Sequence, residues 1–261
     1  MSSILVTGAN GFLGRSVSEY FSNAGHVVHA LSREELDVSD RDQVSNWFIN
    51  NDVDFVIHTA IKGGRKGSTD TFSDYSTNLK MFENLSEQRK RYCFMINFGS
   101  GAEFDRNNDI DCFSEAKVLD AMPEDFYGLA KNMITRRIIR QNTNIYNFRL
   151  FGCFGKNEAD DRLIKILKKG INTQEKVFID SNKEMDFFYD KDVCRAILFY
   201  MKSHKQTSLP RDINLVYEKK LNLKQISDMI ENQLQSTNQN LVLNKIQTTS
   251  YTGDWKLCNK T

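Results

Sequence analysis

One glycine-rich stretch near the start of the chain constrains the fold more than any other feature of the sequence. Residues 7–14 follow an apolar run at residues 4–6 and carry three glycines spaced as Gly-x-x-Gly-x-x-Gly. This order predicts a buried strand, a tight turn and the start of a helix. In such a turn Gly8 reverses the chain, Gly11 opens backbone N–H groups to a diphosphate, and Gly14 allows close packing of helix on strand. An ordinary glycine turn is the alternative, and the rest of the chain must decide between the two.

Strands and helices alternate along the first 150 residues. Apolar runs predict strands at residues 26–31, 54–58, 93–98 and 145–149, and helical spacing covers residues 12–24, 43–48, 74–89 and 127–141. Short apolar strands separated by amphipathic helices predict a parallel sheet that is covered on both faces. We therefore expect an α/β fold with a Rossmann-type doubly wound sheet, in which residues 1–150 form the dinucleotide-binding domain.

Beyond residue 150 the alternation becomes looser. Helical spacing is found at residues 161–169, 190–201 and 223–234, and strand-like runs at residues 176–179 and 212–216. This mixture predicts that residues 151–261 contribute a small substrate-binding lobe and also return elements to the Rossmann core.

Charge and composition argue against several classes of protein. The 35 basic and 34 acidic residues give a net charge of +1, which offers no electrostatic footprint for nucleic acid or an anionic membrane. The five cysteines are odd in number and never spaced as C-x-x-C, which argues against a disulfide framework and a zinc site. The first strand begins too near Met1 to leave room for a signal peptide, and no apolar run approaches the roughly 20 residues of a membrane span. We expect a soluble, cytoplasmic protein.

The main catalytic candidate is a tyrosine–lysine pair. Tyr127 and Lys131 are four residues apart, so a helix places the phenol and the ammonium one turn apart on one face. Such a pair often occurs by chance, and this one is informative because of its position. It lies at the start of the helix after the fourth strand, and Ser100 lies at the end of that strand. In such a site the lysine lowers the phenol pKa and holds the nicotinamide ribose. The tyrosine then exchanges a proton with a substrate oxygen that the serine fixes.

Together these features resemble the extended short-chain dehydrogenase/reductases, the NAD(P)-dependent group of nucleotide-sugar epimerases, dehydratases and reductases. The resemblance extends over nearly the whole chain. Residues 32–36 and the loop Lys62-Gly63-Gly64 look more like the GDP-L-fucose synthase and dehydrorhamnose reductase branches than like the epimerases. Besides the glycine turn, Ser100, Tyr127 and Lys131, the matches are Leu36-Asp37-Val38-Ser39-Asp40, His58-Thr59-Ala60, Asn78, Arg149-x-x-x-x-Phe154-Gly155, Asp186-Phe187-x-Tyr189-x-x-Asp192-Val193 and Ile213-Asn214-Leu215.

The resemblance implies which residues catalyse and which hold the cofactor. The catalytic residues are Ser100, Tyr127 and Lys131. The cofactor residues come from the ends of the first three strands and from the catalytic helix. They are Gly8, Asn10, Gly11, Phe12, Leu13, Gly14, Ser32, Arg33, Asp37, Val38, Thr59, Ala60, Lys62, Tyr127 and Lys131.

Two residues after the second strand bear on the choice between NADP and NAD. Sites that select NAD usually carry an acidic residue here to hold the ribose 2′-hydroxyl, whereas Ser32 and Arg33 suit a 2′-phosphate. We predict NADP, with a solvated arginine as the alternative. Asp37 either caps a turn or meets the adenine amino group with Val38 packed on the ring. The loop that begins at Lys62 is either a flexible basic loop or part of the phosphate and substrate site.

Departures from the family pattern bear on the reaction type. The 4,6-dehydratases carry an Asp-Glu pair after the catalytic hydroxyl, where this chain has Gly101-Ala102 and so lacks the acid and base for water elimination. The cysteine and histidine with which GDP-L-fucose synthase epimerises correspond to Ala102 and Arg162. Met185 stands where an arginine usually clamps the nucleotide diphosphate, a role that Lys183 or Arg162 would have to fill. The chain also ends early for the family, which predicts a reduced substrate lobe.

The expected function is an NADPH-dependent 4-keto reductase of a nucleotide-activated 4-keto-6-deoxy sugar, in surface polysaccharide biosynthesis. An epimerase that retains NAD and a catalytically silent NADP-binding sensor or scaffold are the alternatives. A sensor has no need of a proton donor beside the nicotinamide, so the intact catalytic residues argue against the silent protein. The candidate substrate residues are Lys62, Ala102, Arg162 and Lys183.

The resemblance also implies a homodimer, in which the helix after Asp74 and the helix after Tyr127 pair with their copies. The second helix is apolar around much of its circumference. Its apolar residues are Leu129, Met133, Ile134, Ile138 and Ile139, and part of this surface must cover the sheet.

Overall fold

The structure is a computed structural model that describes residues 1–65, 67, 69–141, 143–179, 181–205, 208–233, 241–243 and 250–256. The last residue of the helix predicted at 223–234 lies outside these residues, as do Lys66 in the loop that begins at Lys62 and the fifth cysteine, Cys258. The strands are β1 (Ser3–Thr7), β2 (Val27–Leu31), β3 (Phe55–His58), β4 (Phe94–Ser100), β5 (Ile110–Phe113), β6 (Ile145–Leu150), β7 (Cys153–Phe154), β8 (Val177–Ile179), β9 (Glu184–Met185), β10 (Phe188–Tyr189), β11 (Asp212–Leu215), β12 (Leu241–Leu243) and β13 (Ser250–Gly253). The α-helices are α1 (Phe12–Asn23), α2 (Arg41–Asn50), α3 (Phe72–Glu87), α4 (Phe126–Arg140), α5 (Leu163–Thr173), α6 (Asp190–Ser203) and α7 (Leu223–Gln233).

The central sheet is parallel and has the strand order β11-β6-β4-β3-β1-β2. This arrangement confirms the predicted Rossmann-type α/β fold. The chain crosses from one side of β1 to the other between β2 and β3. In doubly wound sheets the crevice at such a switch point, outside the carboxyl ends of the strands, is where ligands bind.

Alternation along β1 shows how the sheet is covered on both faces. Ile4 and Val6 are fully buried in a cluster with α1 and α6, whereas Leu5 is fully buried in a second cluster with α2, α3 and α4. Successive side chains of a strand point to opposite faces, so one short apolar run supplies both cores. Full burial of each such side chain stabilises the fold by about 1.5–3 kcal/mol.

Elements from the second half of the chain complete the core. Strand β11 pairs with β6 at the edge of the sheet, and α6 packs against α1. Outside the central sheet, β5, β13 and β9 form a small parallel sheet, and α5 and α7 share an apolar cluster with β8. The helix expected at 161–169 instead begins at Leu163 and continues to Thr173, and it ends there because Gln174 adopts a left-handed conformation with φ of 57°.

The described cysteines Cys93, Cys112, Cys153 and Cys194 are all free thiols. Among the described residues, no helix combines the length and the apolar character needed to cross a membrane.

Candidate active site

The glycine turn after β1 is packed so closely that side chains are excluded from it. Gly8 has a φ of 69°, and a Cβ on it would lie 2.6 Å from the Cα of Ala60, which follows β3. A Cβ on Gly14 would lie 2.3 Å from the carbonyl oxygen of Gly8. Thr59 ties the two strand ends together, since its hydroxyl donates to the carbonyl of Thr7 at 2.6 Å. The turn thus forms a backbone-lined cradle at the switch point of the sheet.

The three predicted catalytic residues meet at the carboxyl end of β4. Ser100 is the last residue of β4, and its hydroxyl lies close enough to the phenol of Tyr127, in the first turn of α4, to lower the pKa of that phenol. One turn further, the Lys131 ammonium lies 6.0 Å from the centroid of the Tyr127 ring and donates to the carbonyl of Phe98 at 2.5 Å. Asp125 caps this helix by accepting from the Gly128 N–H at 2.8 Å. The helix start and the strand end therefore hold the serine and the tyrosine together.

Burial sets the protonation of these groups. It raises the pKa of Tyr127, opposed by the nearby Ser100 hydroxyl and the charge of Arg106. Burial lowers the pKa of Lys131 to about 8, against the opposing charge of Glu103. Burial, together with the Lys131 charge, also lowers the pKa of His58 to about 3. At neutral pH the site therefore holds a protonated phenol, a charged lysine and a neutral imidazole.

The pKa of Lys131 predicts an upper pH limit for cofactor binding. Because the pKa of Lys131 is about 8, its positive charge is present below that pH and is lost as the pH rises through it. We expect NADPH affinity, measured by fluorescence titration, to fall as the pH rises through about 8. In Lys131→Arg the fall should move to higher pH, because a guanidinium stays charged. A fall at the same pH in the arginine variant would show that another group causes it.

The backbone of Ser100 is bonded to a buried network of charged side chains. The Glu103 carboxylate accepts from the Ser100 backbone N–H at 2.8 Å and from Arg149 Nε at 2.8 Å. Arg149 also donates to Asp212 at 2.7 Å and to Asn214 at 2.9 Å. Glu103 and Arg149 are both fully buried. The Glu103 carboxylate is thus occupied in fixing the backbone that carries Ser100.

Arg106 belongs to the site although sequence reasoning did not select it. Its guanidinium lies 5.6 Å from the Tyr127 ring centroid and donates two hydrogen bonds to the Asp125 carboxylate, at 3.2 and 2.7 Å. It also lies 3.5 Å from Asp70, which accepts from the Gly64 N–H at 2.7 Å. A Cβ on Gly64 would lie 2.6 Å from the Tyr127 ring. Arg106 therefore fastens the loop after β3 over the Tyr127 ring. No motif marks an arginine in the polar stretch after residue 104.

Tyr251 of β13 was also not selected, and it too reaches the serine. Its hydroxyl lies beside the backbone of Gly101, 2.8 Å from the place of a Cβ on that residue, and close enough to Ser100 and Tyr127 for both to act on its pKa. The Lys183 ammonium lies 5.0 Å from the Tyr251 ring centroid, which brings one predicted substrate residue to the site. A tyrosine more than a hundred residues from the catalytic pair carries no local sequence signature.

The remaining substrate candidates occupy different positions. The Lys62 ammonium is 3.2 Å from Asp74 at the start of α3, and Asn78 holds its backbone through two hydrogen bonds. Arg162 is exposed at the start of α5, where its charge acts on Glu158 and Cys153. Ala102 is 1% exposed. Met185, in the place of the usual arginine, packs among apolar side chains.

At the predicted adenosine end, most of the polar groups already have protein partners. Arg33 Nε lies 3.0 Å from Asp37 and its side chain is 74% exposed. Asp37 also accepts from the backbone N–H and the hydroxyl of Ser39 at 3.0 and 2.6 Å. These two bonds are of the kind that the turn-capping alternative predicts. The Ser32 backbone N–H donates to Glu35 at 2.8 Å. The Arg33 guanidinium thus projects into solvent beside the end of β2.

Comparison with known proteins identifies the family. The chain belongs to the NAD dependent epimerase/dehydratase family, which its residues 4–215 match. It is 22% identical over 235 residues to GDP-L-colitose synthase of Yersinia pseudotuberculosis, covering 81% of this chain and 75% of that protein. This confirms the predicted family membership.

Solved structures show the same fold. A GDP-mannoheptose C4 reductase from Campylobacter jejuni with NADP bound superposes with a TM-score of 0.80 at 18% identity, covering 99% of this chain and 91% of that one. A GDP-L-fucose synthetase from Naegleria fowleri bound to NADP gives a TM-score of 0.76 at 19% identity, covering 100% and 86%.

Proposed function

We propose that this protein uses NADPH to reduce the 4-keto group of a nucleotide-activated 4-keto-6-deoxy sugar, in surface polysaccharide biosynthesis. The observation that carries the proposal is the meeting of Ser100, Tyr127 and Lys131 at the end of β4. The names of the relatives support the substrate class, since they include a GDP-L-colitose synthase and a GDP-mannoheptose C4 reductase.

The residues present fit a dinucleotide. The turn has no room for a Cβ at Gly8 or Gly14, and α1 begins at Phe12 with no described side chain capping its first N–H groups, as binding of a diphosphate requires. When bound there, the nicotinamide cofactor supplies a hydride to the substrate carbon. The chain itself supplies the proton: Tyr127 gives it to the developing alkoxide, and Ser100 donates a hydrogen bond to the same oxygen. Lys131 holds the ribose and keeps a positive charge near the phenol.

Reduction without epimerisation is supported by the groups around the serine. Epimerisation next to a ketone needs an acid and a base on opposite faces of the ring. Ala102 has neither, and Glu103 is bound to Arg149 and to the Ser100 backbone. Arg162 lies at the start of α5, where its charge acts on Glu158. An epimerase that retains NAD remains the alternative function.

We predict that Arg33 supplies the preference for NADPH. A charge-assisted hydrogen bond is worth about 1.5–3 kcal/mol, so Arg33→Ala should weaken NADPH binding roughly ten- to a hundredfold and change NADH binding little. Arg41→Ala is a matched control, since Arg41 is also exposed and paired with one carboxylate, that of Glu87. Equal weakening of both cofactors, measured by calorimetry, would contradict the assignment.

We also propose that residues 1–150 bind the cofactor and that residues 151–261 contribute the substrate-binding lobe.

A further proposal is that the protein is a homodimer. Ile134 and Ile138 are buried against the sheet, which leaves Leu129 and Met133 of α4 half-buried. At the start of α3 the exposed Phe72 packs edge-to-face on Phe126 with ring centroids 6.1 Å apart. A monomeric mass by light scattering at micromolar concentration would contradict the dimer.

The experiment that tests the proposed function is NADPH oxidation with a panel of enzymatically made nucleotide 4-keto-6-deoxy sugars. We expect turnover with at least one member of the panel and none with the corresponding 4-hydroxy sugars. Binding of NADPH with no turnover across the panel would favour the silent protein.

A further inference from the structure

We propose that Tyr251 is a positioning residue that donates a hydrogen bond to Ser100 and thereby leaves Ser100 to act as a donor toward the substrate oxygen. The inference rests on the proposed function for its substrate, although the hydrogen-bond arrangement itself does not require one.

The space beside Ser100 is shaped to admit the Tyr251 hydroxyl. A Cβ on Gly101, the next residue, would lie 2.8 Å from the Tyr251 hydroxyl oxygen and 2.5 Å from the Phe151 ring. Any larger residue at position 101 would therefore push the phenol away from the serine.

Several contacts hold Tyr251 in this place. Its ring packs edge-to-face on Phe151 with centroids 5.4 Å apart, and only 8% of the residue is exposed. Its strand lies between β5 and β9. Asp186 accepts from the Gly253 N–H at 2.9 Å, and the Lys220 ammonium forms a salt bridge with the same carboxylate at 2.9 Å. These contacts fix the phenol at Ser100 with little freedom to turn away.

The donor and acceptor capacity of the serine sets the direction of the bonds. A hydroxyl has one proton and two acceptor positions. One position of Ser100 Oγ is filled by the Ala102 N–H at 3.2 Å. Burial and the nearby Tyr127 raise the pKa of Tyr251, so its phenol keeps its proton and is a donor to the second position. The Ser100 proton is then directed to Tyr127 in the free enzyme and to the developing alkoxide during reduction.

Tyr251→Phe tests the role because it removes the hydroxyl and keeps the ring that packs on Phe151. We expect unchanged NADPH affinity, a KM for the keto sugar within about twofold, and a kcat lowered about tenfold, the value of one hydrogen bond. In a Ser100→Ala background the same substitution should have no further effect on kcat. Tyr92→Phe is the matched control, because it removes another buried phenol hydroxyl, which donates to the Leu85 carbonyl at 2.9 Å far from the site.

A second measurement needs no substrate. In protein labelled with [ζ-13C]tyrosine, Tyr251→Phe should move the NMR titration midpoint of Tyr127 to higher pH, because Ser100 can then accept from the neutral phenol. The shift should be absent in the Ser100→Ala background. Full kcat in Tyr251→Phe, equal losses with and without Ser100, or an unmoved Tyr127 midpoint would each overturn the proposal. Absence of turnover by the wild-type protein would instead contradict the proposed function, and the titration would still test Tyr251.

Discussion

Tyr127→Phe should fold, bind NADPH with wild-type affinity and lose turnover by about 10²- to 10⁴-fold, the usual contribution of a positioned proton donor. The variant keeps the ring that lies against Gly64 and Arg106, so the loop over the site should stay in place. Without the hydroxyl, the place between Ser100 and Lys131 from which a proton would reach the alkoxide is empty. Steady-state NADPH oxidation measures the loss.

The control for this loss is Tyr200→Phe. Tyr200 is fully buried on the α6 side of the sheet, and its hydroxyl donates to the Pro210 carbonyl at 2.8 Å. Its substitution should cost stability and leave turnover near the wild-type rate. A Tyr127→Phe variant with the full rate would remove the proton-donor role from this residue.

Arg149→Met should lower the free energy of unfolding by about 3–5 kcal/mol at pH 7, because it leaves two carboxylates buried without their cation. Arg149 is fully buried and lies within 2.8 Å of both Glu103 and Asp212. By contrast, Arg41→Met breaks a pair whose arginine side chain is 70% exposed, and it should cost less than about 1 kcal/mol. Urea unfolding of both variants measures the difference.

The pH dependence identifies the cause of that loss. Burial already raises the pKa of Glu103 above its ordinary value of 4.5, and Arg149 opposes this. In Arg149→Met the folded-state pKa rises further, so the folded state binds more protons than the unfolded state above pH 4.5. The stability deficit should therefore shrink as the pH falls toward 5, and Glu103→Gln in the same background should recover part of it. A deficit independent of pH would mean that lost packing, and not charge, is responsible.

The part of the site that depends on local sequence was predictable. The glycine turn needs only three residues in fixed spacing, and the positions of Gly8 and Gly14 follow from steric rules that hold in any such turn. The tyrosine–lysine pair lies on one helix, so its geometry follows from the helical period. Ser100 could be placed because apolar β4 ends at it.

The groups that the sequence did not reveal come from distant segments. Tyr251 reaches Ser100 only because β13, four residues long, inserts between β5 and β9. No periodicity marks so short a strand, and its partners lie far away in the chain. The Lys62 ammonium pairs with Asp74, a contact that no motif in the sequence reveals, and its place near the cofactor phosphates or the substrate stays a prediction.

The most direct test of the central claim is to run the reaction with NADPH in heavy water and to map protium and deuterium on the product by NMR. Simple 4-reduction predicts protium at C4, delivered by the cofactor, and no deuterium at C3 or C5 above a control without enzyme. Enzyme-dependent deuterium at C3 or C5 would show that the protein moves protons beside the ketone. That result would contradict simple 4-reduction and assign an acid–base pair to this site.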